Sequence, residues 1–424
     1  VGIALDLVLP EQALPGEDFA FEVSYKNISP IDVDGLQLRL DYPPGFEFKK
    51  SSLSPDIAPN LWRLGGLRKG SEMKFSISGN LVGPTSSKHD IRAVLQAEFD
   101  DEVYNVAEKT GTVELSASPL TLGIFSSGAP GDVALPGTEL QYMVSYQNTA
   151  EQGFQNAVVT AQLSGEMFDL STLRTKGIVS VSGNMITWNQ VTSPELAIIG
   201  PRSSGELTFS VRTKGAYPIR RLSDKNFVLK IDARIESPTV IPSVQSKATV
   251  GIGRLETKIR GDLRLDAKAF FRDAEAGVVN RGPFPPRVGV ATNFTVHWVL
   301  RNYATDATGV IVMAALPPGV KYVSSVRMSS GVLSYADGPQ IVQWQIDKIP
   351  ANKGVLDKPL EAVFQIEAMP QPNQAKSAMP LIGEATFTAK DDFTAAELRG
   401  GDPAINSSLP DDLTVCSGGG IVVQ

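Results

Sequence analysis

One short pattern occurs three times in this chain and commits it to β-structure. In the first copy Leu14-Pro15-Gly16 precedes Phe19, Phe21, Val23, Tyr25 and Asn27. In the second, Leu135-Pro136-Gly137 precedes Leu140, Tyr142, Val144, Tyr146 and Asn148. In the third, Val288-Gly289-Val290 precedes Phe294, Val296, Trp298, Leu300 and Asn302. Apolar residues take every second position, and residues such as Glu22, Ser24, Lys26, Gln141, Ser145, Thr295 and Arg301 lie between them. A period of two with one polar side specifies a half-buried antiparallel strand and conflicts with the 3.6-residue period of a helix. The Pro-Gly ahead of the strand is a turn signal, and the asparagine suits its exit into another turn.

Two further features follow each copy. Leu36, Leu38 and Leu40 alternate into Pro43-Pro44-Gly45, and Val310, Val312, Ala314 and Leu316 into Pro317-Pro318-Gly319. The second copy has Val159, Ala161 and Leu163, with Ser164-Gly165 replacing Pro-Pro-Gly. Proline cannot donate to a ladder, so such a strand has a defined end. Trp62, Trp188 and Trp344 then fall roughly 35 to 42 residues past the asparagine, each in a short alternating segment. A tryptophan there anchors a core by its area. Trp298 occupies the inward slot that matches Val23 and Val144, which puts His297 on the outward side, exposed or at an interface and not a metal ligand. The expectation is an all-β chain of three tandem immunoglobulin-like β-sandwich domains in an elongated arrangement: residues 1–117, 118–253 and 254–424. The third carries an N-terminal insertion, within which Lys268–Phe271 and Asp273–Ala276 allow a short helix or an irregular hairpin, and a C-terminal tail.

These residues resemble the conserved-repeat immunoglobulin-like modules of prokaryotic surface proteins, whose marks are a Pro-Gly, a Tyr-x-Val-x-Tyr-x-Asn strand, a Leu-Pro-x-Gly-Phe turn and a tryptophan before a Gly-rich turn. The run from Gly282-Pro283-Phe284 to Asn302 and the tail from Asp402-Pro403 to Gln424 are similar to the last module of N-terminally anchored surface proteins of small-genome, uncultured bacteria. The resemblance implies a non-catalytic module and transfers no catalytic residue.

The net charge of -7, without a run of lysine and arginine, argues against a nucleic-acid partner. The single cysteine, Cys416, allows no internal disulfide and reads as an incidental free thiol. Apolar runs such as Val310–Leu316 are too short to span a bilayer. The chain begins at Val1 inside a strand-like pattern, so a signal or anchor segment is expected ahead of it, any membrane association running through that segment. The expected location is the extracellular cell surface.

Chemistry is sparse. The two histidines limit acid–base catalysis, and His89, in Ser86-Ser87-Lys88-His89-Asp90, reads as an exposed turn residue and not as half of a triad with Asp90. No nucleophile elbow, phosphate loop or His-Glu-x-x-His occurs, so no catalytic residue, cofactor or metal site is assigned. Asp32, Asp34, Asp100, Asp101 and Glu102 are the calcium candidates, at a junction between modules. The competing reading of Asp32–Gly35 is a turn with Gly35 at positive φ. Arg260-Gly261-Asp262 matches an adhesion tripeptide by chance composition. Asn27, Asn293 and Asn406 open glycosylation acceptor triplets, and Asn406 is the best candidate, since Asn27 already has a structural role.

The first reading of function is a cell-surface stalk or adhesion protein whose partners are other surface proteins or glycans. The second is a self-assembling surface-layer or filament subunit, its partner being itself. The third is a carbohydrate-binding accessory module, which exposed aromatic residues on a sheet face would favour.

Overall fold

The computed structural model describes residues 2–56, 59–99, 102–240, 248–416 and 419–424. Among these, helix is confined to three short 3-10 turns, at Pro130–Asp132, Pro194–Ala197 and Pro372–Gln374. Among the described residues no helix is long and apolar enough to cross a membrane. Alternation has its expected result: in the strands Asp18–Asn27 and Glu139–Asn148 the apolar positions are buried and the intervening ones face outward.

Buried side chains form three clusters. The first runs from Ile3 to Leu115, the second from Leu120 to Ile259 with Ala304 added, and the third from Leu263 to Val422. Each lies between two sheets, which makes the chain a series of β-sandwiches. One sheet has the same four-strand order in all three. In the first sandwich the order is Ile3–Val8, Asp18–Asn27, Glu72–Leu81, Phe46–Ser51. In the second it is Leu120–Ser127, Glu139–Asn148, Ser204–Thr213, Phe168–Thr175. In the third it is Asp262–Phe270, Thr292–Tyr303, Leu360–Ala368, Val320–Met328. All neighbours in these sheets are antiparallel. The facing sheet holds the tryptophan strand, Leu61–Leu67, Met185–Trp188 or Ile341–Ile349.

The turn before each asparagine strand is also the same device. Gly16, Gly137 and Gly289 have φ of 74°, 75° and 71°, a region that side chains with a Cβ seldom enter. Their amides donate to Leu81 O, Lys214 O and Pro370 O, at or just past the end of the neighbouring strand. The third copy keeps this geometry without the proline. Ser164 is the last residue of its strand, so Ser164-Gly165 does end that strand as Pro-Pro-Gly ends the others.

Arg254, expected as the start of the third domain, lies inside the strand Thr249–Ile259, which pairs with Val228–Ser237 in the second sandwich. The charged residues that suggest a boundary there are the outward side of that strand, where Arg254 pairs with Asp232. The region read as an insertion from residue 254 therefore begins later. Asp262–Phe270 is a regular strand, and the irregular excursion occupies 271–291. Lys268–Phe270 end that strand, and 274–277 form a turn, so the short helix is not formed.

Candidate functional site

The repeat asparagines tie one sheet of each sandwich to the other. Asn27 Nδ2 donates to Ile31 O at 2.8 Å and Leu67 O at 3.0 Å, while its Oδ1 accepts from Ser29 N and Oγ at 2.9 and 2.6 Å. Asn148 Nδ2 reaches Gln152 O and Gly200 O, both at 2.8 Å, and its Oδ1 accepts from Ala150 N at 2.8 Å. Asn302 Nδ2 donates to Thr305 O at 2.7 Å, Pro350 O at 3.0 Å and Ile349 O at 3.1 Å. All three side chains are fully buried. In each copy one carbonyl belongs to the loop after the asparagine strand and another to the end of the segment after the tryptophan, in or near the opposite sheet. The sequence pointed to a strand exit; the cross-sheet clamp depends on partners 40 to 52 positions away and was not visible in it. Trp62, Trp188, Trp298 and Trp344 are buried, with Trp62 Nε1 donating to Leu53 O and Trp344 Nε1 to Ser330 O, both at 2.9 Å. Tyr25 and Tyr146 are buried as well.

His297 overturns the expectation of an exposed residue. It does point away from the sandwich core, yet it is 6% exposed. The excursion 271–291 folds over that outer face and brings a carboxylate with it. Asp273 Oδ2 lies 2.6 Å from His297 Nε2, and Glu361 Oε1 lies 2.8 Å from Nδ1. Each ring nitrogen thus faces a carboxylate oxygen. Arg327 donates to Glu361 Oε2 at 2.6 Å and to Glu275 O at 3.2 Å, while Asn280 bridges Phe270 O and Gln365. Alternation gives the face of a strand but not what lies over that face, and for this reason the sequence reading failed here. With both ring nitrogens held by carboxylates, the group is a strut that holds the cover down.

The strut has a pH dependence of definite sign. Burial pushes the Asp273 carboxyl up, but the Thr295 hydroxyl and His297 outweigh it and hold the group below the usual carboxylate range. Burial likewise raises Glu361, and His297 and Arg327 more than offset it. Depressed folded values mean stabilisation that is complete above the unfolded carboxylate pKa and is lost as the pH falls through the folded one. Residues 271–291 are therefore expected to detach as the pH falls below the ordinary carboxylate range and through the lowered values of these two groups. His297→Ala is expected to release them already at neutral pH. Amide hydrogen exchange across this segment checks both; unchanged protection in the variant would refute the strut.

The corresponding outer face of the second sandwich is open. Its strands place side chains in two lateral rows. Phe125, Met143 and Thr208 are cross-strand partners in one; Ser127, Gln141, Ser210 and Arg174 form the next. Together with Lys176 these border an open cavity of about 560 Å³. Phe125 is 56% exposed, and its ring lies over Gly123, where a Cβ would sit 3.0 Å from Cε2. No tryptophan or tyrosine marks this face in the sequence, and a phenylalanine two residues after a glycine carries no local signal.

The remaining candidates are dispersed. Asp32 is exposed and its Oδ1 accepts from Lys69 N at 2.7 Å; Asp34 is exposed nearby, and Gly35 has φ 67°. Asp100 and Asp101 lie outside the described residues, and Glu102 accepts from the Tyr104 hydroxyl at 2.5 Å. Among the described residues no three His, Cys, Asp or Glu side chains converge as a cation site. His89, expected as an exposed turn residue, is instead the second residue of the strand Lys88–Phe99 and half-buried; its Nε2 meets Ser87 Oγ at 2.6 Å, while Asp90 accepts from Thr112. The Arg260-Gly261-Asp262 tripeptide is not displayed: Gly261 is buried and its amide donates to Asp391 Oδ2 at 2.8 Å. Asn27 is buried, Asn293 lies in a strand, and Asn406 is exposed with Oδ1 accepting from Ser408 N at 3.0 Å. Cys416 is exposed.

No protein-family profile matches the chain, and no curated protein matches it. Solved structures do. The C-terminal domain of the Streptococcus pyogenes antigen I/II-family protein AspA is similar over 68% of this chain and 99% of its own, at 10% identity and a TM-score of 0.26. The C-terminal domain of the Streptococcus agalactiae antigen I/II polypeptide BspA covers 66% of this chain and 97% of its own, at 9% identity and a TM-score of 0.24. Red sea bream transglutaminase covers 61% of this chain and 31% of its own, at 14% identity and a TM-score of 0.22. Superpositions this loose carry no argument about fold or activity, and the account of both rests on the residues above.

Proposed function

We propose that the chain is a non-catalytic structural protein of the cell surface, a stalk of immunoglobulin-like sandwiches that carries adhesion contacts. The observation that supports this reading most directly is the joint between the second and third sandwiches. Asn352, fully buried, donates to Leu222 O at 3.2 Å and Asp224 O at 2.8 Å across the joint, and accepts from Ala304 N at 2.9 Å. Asn226 N donates to Ala304 O at 2.8 Å, and Tyr217 stacks on Tyr303 with centroids 6.3 Å apart. Asp306 pairs with Lys225 at 3.3 Å and Lys348 at 2.8 Å; burial opposes its ionisation, but these partners and the Ala351 amide bring its pKa down to about 2. At the first joint Arg234 donates to Gly16 O, and Ala248 N to Glu17 Oε1 at 3.1 Å. A chain whose modules are hydrogen-bonded end to end resists bending, which is what a stalk requires.

Small-angle scattering of the purified chain tests this. The expectation is a stiff rod whose profile broadens to a hinged ensemble in Asn352→Ala, with the sandwiches still folded. A compact particle, or turnover of a peptide or glycan library by the wild type, would overturn the stalk.

A further inference from the structure

We infer that the open outer face of the second sandwich, over Phe125 and Met143, is a binding site for an acidic saccharide. This goes beyond the stalk reading and stands on the geometry of one sheet. The three sandwiches offer the same face for comparison, because their four-stranded sheets share order and register. Counting back from the repeat asparagine, the positions of Phe125 and Met143 correspond to Val8 and Glu22 in the first sandwich and to Lys268 and His297 in the third. In the first, Glu22 is neutralised by Lys74 at 3.4 Å. In the third, the chain covers the face with its own excursion and sets the Asp273 carboxylate on it. In the second, nothing among the described residues covers the face, and neither Arg174 nor Lys176 has a carboxylate partner there.

The chemistry of the open face selects its occupant. A flat, exposed aromatic ring laid along the sheet takes the C–H face of a sugar ring, and Met143 extends the platform. The adjacent row of Ser127, Gln141 and Ser210 presents hydroxyl and amide groups at the level of a sugar's hydroxyls. Arg174 ends that row, and its planar fork matches a carboxylate with two parallel hydrogen bonds. A neutral sugar leaves both cations unanswered; an apolar acid leaves the hydroxyl row unanswered. A uronic acid unit answers both. The volume, about 560 Å³, falls in the range of small-molecule sites, roughly 300–1,000 Å³.

The experiment is calorimetric titration of the full chain with galacturonate, glucuronate and mannuronate oligosaccharides, with neutral galactose oligosaccharides of equal length as controls. The expected result is saturable binding of at least one acidic series, weakened by salt. Phe125→Ala and Arg174→Glu/Lys176→Glu should each weaken binding at least about tenfold, the scale of one lost charge-assisted hydrogen bond. Both substitutions lie on the exposed face, so thermal unfolding and the scattering profile should not move. No binding to any acidic series at millimolar concentration, equal binding to the neutral controls, or undiminished binding by both variants would each overturn the assignment. Because scattering reads the stalk and titration reads the site, failure of either leaves the other distinguishable.

Discussion

Trp188→Ala is expected to destabilise the second sandwich by about 4 kcal/mol, near the upper end of what losing a buried aromatic side chain costs. The indole is 1% exposed, faces Val159 across the strand pair and sits 6.0 Å from the Phe209 ring. The tight packing around it leaves the neighbours little room to collapse: a Cβ on Gly177 would lie 2.8 Å from Trp188 Nε1. Urea denaturation, followed by hydrogen exchange in the strands 139–148 and 204–213, measures the loss. Phe125→Ala is the control, since its exposed ring contributes little to the core and should change stability by less than about 0.5 kcal/mol. A loss below about 1 kcal/mol in Trp188→Ala would mean that the indole is not the anchor of this core.

Asn148→Leu is expected to cost about 3 kcal/mol, although leucine has nearly the same shape and prefers burial. The substitution removes the donors to Gln152 O and Gly200 O and the acceptor for Ala150 N, in a site closed to water. Each abandoned buried group carries its own desolvation penalty of about 1–3 kcal/mol, partly recovered by the apolar replacement. Asn406→Leu, on an exposed asparagine, is the matched control and should fall within about 0.5 kcal/mol of the parent. The same denaturation experiment decides. Equal stability of the two variants would show that the clamp is incidental to the sandwich.

These two residues mark how far the sequence can be read. Trp188 and its counterparts were legible because strand phase and burial are the same information: a period of two names the inward side, and large apolar residues fill it. Asn148 was legible as the end of a strand but not as a link between sheets, because its partners are backbone carbonyls, and carbonyls leave no mark in a sequence. His297 was misplaced for a related reason. Phase separates the inside of a sandwich from the outside, and it cannot tell whether a loop lies over the outside. Arg254 shows a third limit, since charge on the solvent side of a strand resembles charge in a linker. The open face at Phe125 needed the register of four strands from distant parts of the chain, and no local pattern contains that.

Ala304 belongs by sequence to the third sandwich, yet it is buried in the core of the second and hydrogen-bonded to Asn226 and Asn352. This makes the two modules interdependent in time as well as in space. During synthesis the second sandwich will have all its own strands once Ile259 has emerged, but its core is completed by a residue made roughly 45 positions later, a delay of roughly 2 to 9 seconds at ribosomal speed. Until then the end of the module that will form the joint is open to water. The second module is thus closed by the arrival of the third, and a chain halted between residues 259 and 304 would carry an unfinished end.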